Sequence, residues 1–76
     1  MQNMAQEFFT IDELAGYLRL LDDDGEPDRR RVYWMRQRGQ APPAHRIGGS
    51  RGRLLFRRSD VEEWLASRAE PTAQAS

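Results

Sequence analysis

The sequence predicts an α+β fold, mainly α, built as helix, turn, arginine-rich second helix, β-hairpin and C-terminal helix. Three observations carry this. A threonine and, later, a serine each stand three residues ahead of a glutamate at the head of an apolar pattern, which marks a helix start. A glycine-rich stretch, Gly48-Gly49-Ser50-Arg51-Gly52, separates two short runs that can extend. Charge is sorted along the chain: residues 29–58 hold ten arginines and no acid, residues 1–28 eight acids against one arginine, and residues 59–76 four acids against one arginine.

The first helix starts at Thr10-Ile11-Asp12-Glu13, a capping box in which the Thr10 hydroxyl accepts from the Glu13 amide and the Glu13 side chain accepts from the Thr10 amide. Ile11, Leu14, Leu18 and Leu21 then recur at helical spacing, and Phe9 stands ahead of the cap as a staple residue. Gly16 weakens this helix, and Asp22-Asp23-Asp24-Gly25-Glu26-Pro27 ends it as a turn. Asp28 is placed to cap the second helix, residues 29–38, with Gly39 as its C′ stop. On that helix Val32 and Met35 share one side, Arg30, Trp34 and Gln37 project roughly opposite, and Tyr33 and Arg31 lie on the flanks.

Pro42-Pro43 stiffens a connector, residues 44–47 extend into the glycine loop, and residues 53–57 return with Leu54 and Phe56 on one face. Ser59-Asp60-Val61-Glu62 reads as a second capping box, opening a helix whose Val61, Trp64 and Leu65 form the apolar stripe and which ends near Ala69. The domain therefore spans residues 8–69, between a flexible N-terminus at 1–7 and a disordered tail at 70–76.

Several function classes are disfavoured. A chain of 76 residues buries only about 60% of the surface that it exposes when unfolded, which leaves little room for a deep substrate cavity. Without cysteine there is no disulfide, thiolate nucleophile or cysteine metal site, and no Ser, His and acid arrangement stands out. The expectation is a protein that is not an enzyme and carries no metal or cofactor. An EF-hand loop with Gly25 in its sixth place would run from Leu20 to Arg31, where acids are needed, so Asp22-Asp23-Asp24 is not read as a calcium site. No partner is suggested for His45, which is read as structural or exposed. With no long apolar run and no signal-peptide pattern at the start, the expectation is a cytoplasmic protein that does not enter the membrane.

The order of elements is that of a winged helix-turn-helix module. The sequence resembles the excisionase and MerR-like family of small winged-helix DNA-binding proteins, which includes phage recombination directionality factors. The residues that carry the resemblance are Phe9-Thr10-Ile11-Asp12-Glu13-Leu14-Ala15, Val32-Tyr33-Trp34-Met35-Arg36-Gln37-Arg38-Gly39, Arg46-Ile47-Gly48-Gly49 and Phe56-Arg57-Arg58-Ser59-Asp60-Val61-Glu62-Glu63-Trp64-Leu65, covering roughly residues 8–68. Family members commonly join the first two helices by a short turn, whereas here a longer acidic segment, residues 21–28, intervenes.

The resemblance implies that the second helix enters the major groove of double-stranded DNA and that the hairpin, as a wing, reaches an adjacent minor groove or the backbone. On that reading Arg29, Arg30, Arg31, Tyr33 and Trp34 contact DNA from the recognition helix, and Ser50, Arg51 and Arg53 from the wing. Arg46, Arg57 and Arg58, placed at strand ends, contact phosphates and carry no sequence information. Blander roles stand beside these: a solvated helix start balanced by residues 22–28, packing for Trp34, and an ordinary loop-tip charge for Arg51. The implied role is an excisionase that binds beside a recombination site in a bacterial cell, bends the DNA and helps an integrase assemble. A lone module makes few base contacts, so specificity calls for several copies side by side or for a partner. A small transcriptional regulator would use the same interface, and a protein-interaction adaptor is the alternative of another class.

Overall fold

The computed structural model describes residues 7–49 and 51–70. The flexible start expected at 1–7 and the tail expected at 70–76 fall outside these residues, apart from Glu7 and Glu70. Helix α1 (Ile11–Tyr17) opens on the capping box that the sequence specifies. The Glu13 amide donates to the Thr10 hydroxyl at 3.1 Å, and the Thr10 amide donates to Glu13 Oε1 at 2.9 Å. Phe9 before the cap and Leu14 in the second turn are both buried, the pairing that a hydrophobic staple requires.

Helix α1 ends earlier than its apolar spacing suggests. Arg19 adopts a φ of 60°, its amide donates to Gly16 O at 3.1 Å, and the Leu20 amide donates to Ala15 O at 2.8 Å. This pair of bonds is a Schellman stop, which closes the helix at Leu18. Leu18 and Leu20 still pack on the core from the turn, while Leu21 leaves the helical stripe to form a bridge with Pro27.

The acidic segment that follows folds back on itself. Asp22 Oδ1 accepts from the amides of Asp24 at 2.9 Å and Glu26 at 3.0 Å, and the Asp28 amide donates to Leu20 O at 2.8 Å. Its two ends therefore meet, and the next helix is delivered beside α1 despite the added length. Helix α2 (Arg29–Gln37) is capped by Asp28, whose side chain accepts from the Arg30 amide at 3.1 Å. It ends as α1 does, here with Gly39 at φ 69° and the Gln40 amide donating to Met35 O at 2.9 Å.

Strands β2 (His45–Ile47) and β3 (Arg53–Arg57) form the expected hairpin, with Arg46 opposite Leu54 and Ile47 opposite Arg53. Its loop depends on Gly52, where a Cβ would come to 1.7 Å from the Ile47 carbonyl oxygen. A further strand, β1 (Phe8–Phe9), pairs with the other edge of β3, giving the order β1-β3-β2. Two residues are too few for an alternating pattern, and the sequence announces Phe9 only as a staple.

Helix α3 (Arg58–Ser67) follows β3 without a break, and this corrects the capping box expected at Ser59. Pairing with β1 runs through Arg57, and the Arg58 amide donates to Glu7 O at 2.8 Å, so the chain turns helical before Ser59. Arg57 occupies the cap without a side-chain bond, and Glu62 accepts instead from Arg58 Nε at 3.0 Å. The α3 stripe is narrower than its spacing suggests: Val61 is buried, Trp64 only half-buried and Leu65 exposed. Phe9, Leu14, Ala15, Val32, Phe56 and Val61 form the core, so β1, α1, α2, β3 and α3 all meet in one small winged helix-turn-helix fold.

Candidate nucleic-acid interface

Val32 is fully buried and thereby sets the rotation of α2. The opposite side presents Arg30, Tyr33, Trp34 and Gln37 to solvent, with the Arg30 side chain 84% exposed. Trp34 is 57% exposed, and Arg38 stacks over its ring at 4.4 Å. On one flank Trp34 joins Leu20, Arg31 and Met35 in a mostly apolar groove. On the other flank Tyr33 and Arg29 face the hairpin across a groove of about 380 Å³ that Asp12, Arg46 and Arg53 also line.

The three arginines that open α2 are all met by carboxylates. Arg29 donates from Nε to Asp12 Oδ1 at 3.0 Å and from Nη2 to Oδ2 at 2.7 Å. Arg30 Nε donates to Asp28 Oδ1 at 3.2 Å, and Arg31 lies 3.8 Å from the other oxygen of the same residue. The hydrogen bond from the Arg30 side chain holds the Asp28 carboxyl below its ordinary value of 3.8, against the opposing effect of burial; the Arg30 amide and the charges of Arg30 and Arg31 add to the lowering.

The hairpin is different. Arg51, Arg53 and Arg57 are exposed, and among the described residues no carboxylate lies within ion-pair distance of them. Positive charge is therefore partly neutralised at the start of α2 but left without a carboxylate partner, among the described residues, on the hairpin and at Arg36 and Arg38 near the end of α2. Ser50 lies outside the described residues. Arg46 sits within β2 and shares the inward face with Leu54; its Nη1 donates to Gly52 O at 3.0 Å. Arg58 is not at a strand end but opens α3, where Glu62 holds it and the rings of Phe9 and Tyr17 lie 5.8 Å away.

Some partners have no signal in the sequence. Asp12 is one, since nothing local links it to a residue on the next helix. His45 is another: its Nε2 lies 3.1 Å from Asp60 Oδ2, tying the base of the hairpin to the first turn of α3. Among the described residues no group of His, Asp and Glu is arranged to hold a metal ion, and no helix is long and apolar enough to cross a membrane.

A basic, aromatic helix face beside a basic hairpin is the layout of a DNA-reading domain. Residues 8–69 match the helix-turn-helix domain family, and the chain belongs to it. Sequence-specific DNA binding is the function that this membership supports. The chain matches none of the curated proteins and none of the solved structures with which it was compared.

Proposed function

We propose that this chain is a sequence-specific, DNA-bending excisionase, a recombination directionality factor that promotes integrase-mediated excision of a prophage or mobile element. The observation that carries the DNA-binding part is the groove in which Arg29 and Tyr33 of α2 face Arg46 and Arg53 of the hairpin, beside the exposed Arg30 and Trp34 on the same helix. In this reading α2 lies in the major groove with Arg30 and Trp34 at base edges, Arg31 beside them, and Arg51 leads the wing towards the minor groove. Ser50, which lies outside the described residues, is proposed as a further DNA contact next to Arg51 in the sequence. Arg46, Arg57 and Arg58 position the protein on phosphates.

The excisionase role is supported by the resemblance of residues 8–68 and by the run of cations in residues 29–58. Cations that neutralise phosphates along one side of a duplex help it to bend, a deformation that costs of the order of 1–6 kcal/mol. A single helix and wing read few bases, so copies bind side by side on repeated sites, or an integrase supplies further contacts.

The test is a titration of the purified protein onto DNA carrying an attachment site, with a random duplex of equal length as competitor. Stepwise bands that resist the competitor, with mobility that depends on where the site lies in the fragment, are expected. Binding confined to a promoter, without anomalous mobility, would instead identify a transcriptional regulator. Absence of any shift at moderate salt would point to the protein-interaction adaptor.

A further inference from the structure

We propose that Asp12 is a positioning residue for DNA binding: it holds one edge of Arg29 so that this guanidinium helps form a seat for one backbone phosphodiester in the groove between α2 and the hairpin. The inference rests on the DNA-binding reading of the same face. Asp12 takes the Nε and Nη2 edge of Arg29 through two bonds, at 3.0 and 2.7 Å. The end-on edge, Nη1 with the other Nη2 hydrogen, has no partner among the described residues and is free to donate in parallel to a phosphate.

The groove fits a phosphate better than a base edge. It lies between the helix that enters the major groove and the wing beside it, where a backbone strand separates the two grooves. Arg29 and Tyr33 line one side of it, and Arg46 and Arg53 the other. Arg46 is also pinned within it, by its bond to Gly52 O at 3.0 Å. An arginine fixed before binding gives up less side-chain freedom when a phosphate arrives than one that moves freely in solvent. The Arg29 and Asp12 side chains are 57% and 48% exposed, so their pair adds little to fold stability, and its consequence is geometric.

A simpler role is mere charge. Asp12 would then only repel DNA, and removing it would raise affinity evenly along the duplex. The two are separated by a duplex that the wild-type protein selects from a random pool, prepared as a series with a single neutral methylphosphonate at successive backbone positions. Wild-type affinity is expected to drop about tenfold at one phosphate that Arg29 contacts. Arg29→Ala and Asp12→Asn should each flatten the profile at that phosphate, and the double variant should bind no worse than Arg29→Ala. An Asp12→Asn profile that keeps the wild-type dip, merely displaced to higher affinity, overturns the proposal while leaving DNA binding intact. Failure of the wild-type protein to select or bind any duplex overturns the DNA-binding reading itself.

Discussion

At the scale of single residues, Asp28 links the fold to the candidate site, because one carboxylate caps α2 and also holds Arg30 and Arg31. Its carboxyl is held below the ordinary value of 3.8, so the stability that it contributes is present above that pH and is lost as pH falls through the lowered value. Asp28→Asn, which can still cap but cannot pair as an anion, should therefore flatten part of the loss of stability in acid. Urea unfolding of both proteins, at neutral pH and at several values below 3.8, checks this. Gly52 is fixed for a steric reason, since a Cβ there would meet the Ile47 carbonyl oxygen at 1.7 Å. Gly52→Ala should destabilise the protein by about 1–3 kcal/mol, read by thermal denaturation, as the hairpin turn is forced to move.

At the scale of elements, the ends of α1 and α2 are one design with different residues. Both close with the same Schellman bonds, yet the left-handed position is glycine in α2 and Arg19 in α1. Arg19→Gly should raise stability by about 0.5–1 kcal/mol, and Gly39→Ala should lower it by a similar amount, both measurable by chemical denaturation. The same comparison explains what was legible in the sequence. Thr10 with Glu13, Asp28 and Gly39 act through bonds to neighbours a few residues away, so they can be read locally. The stop at Arg19 is hidden because an arginine does not announce a left-handed residue and Leu18 and Leu21 prolong the apolar spacing. Strand β1 and the displaced start of α3 both follow from pairing across the sheet, between residues far apart in the chain. The site divides likewise: the outward set on α2 follows from helical spacing, whereas Asp12–Arg29 and His45–Asp60 come from tertiary placement.

Helix and hairpin should also differ in what they do to DNA. In the proposed reading Arg30, on the outward face of α2, contacts base edges, so Arg30→Ala should cost roughly 1–3 kcal/mol of binding and relax sequence preference. Arg57 is exposed on β3 and without a carboxylate partner among the described residues, and in the same proposed reading it contacts a backbone phosphate. Arg57→Ala should weaken all sequences about equally and reduce the salt slope by about 1. Titrations of selected and random duplexes at two salt concentrations separate the two effects.

At the scale of the whole molecule, a formal net charge of zero conceals a strong asymmetry. Ten arginines lie within residues 29–58, and the acids before them are used partly inside the fold, as Asp12 and Asp28 hold the start of α2 while Asp22 closes the loop that precedes it. Such a chain binds a polyanion through one surface, whatever its total charge. The central claim is that this surface consists of the outward face of α2 and the adjoining hairpin, and amide chemical-shift mapping during titration with a selected duplex tests it most directly. The largest shifts are predicted at Arg30, Tyr33, Trp34, Arg46, Arg51 and Arg53, with the acidic loop at 22–26 and the later turns of α3, residues 62–67, nearly unchanged. Shifts gathered on the acidic loop or on α3, with α2 and the hairpin silent, would contradict it.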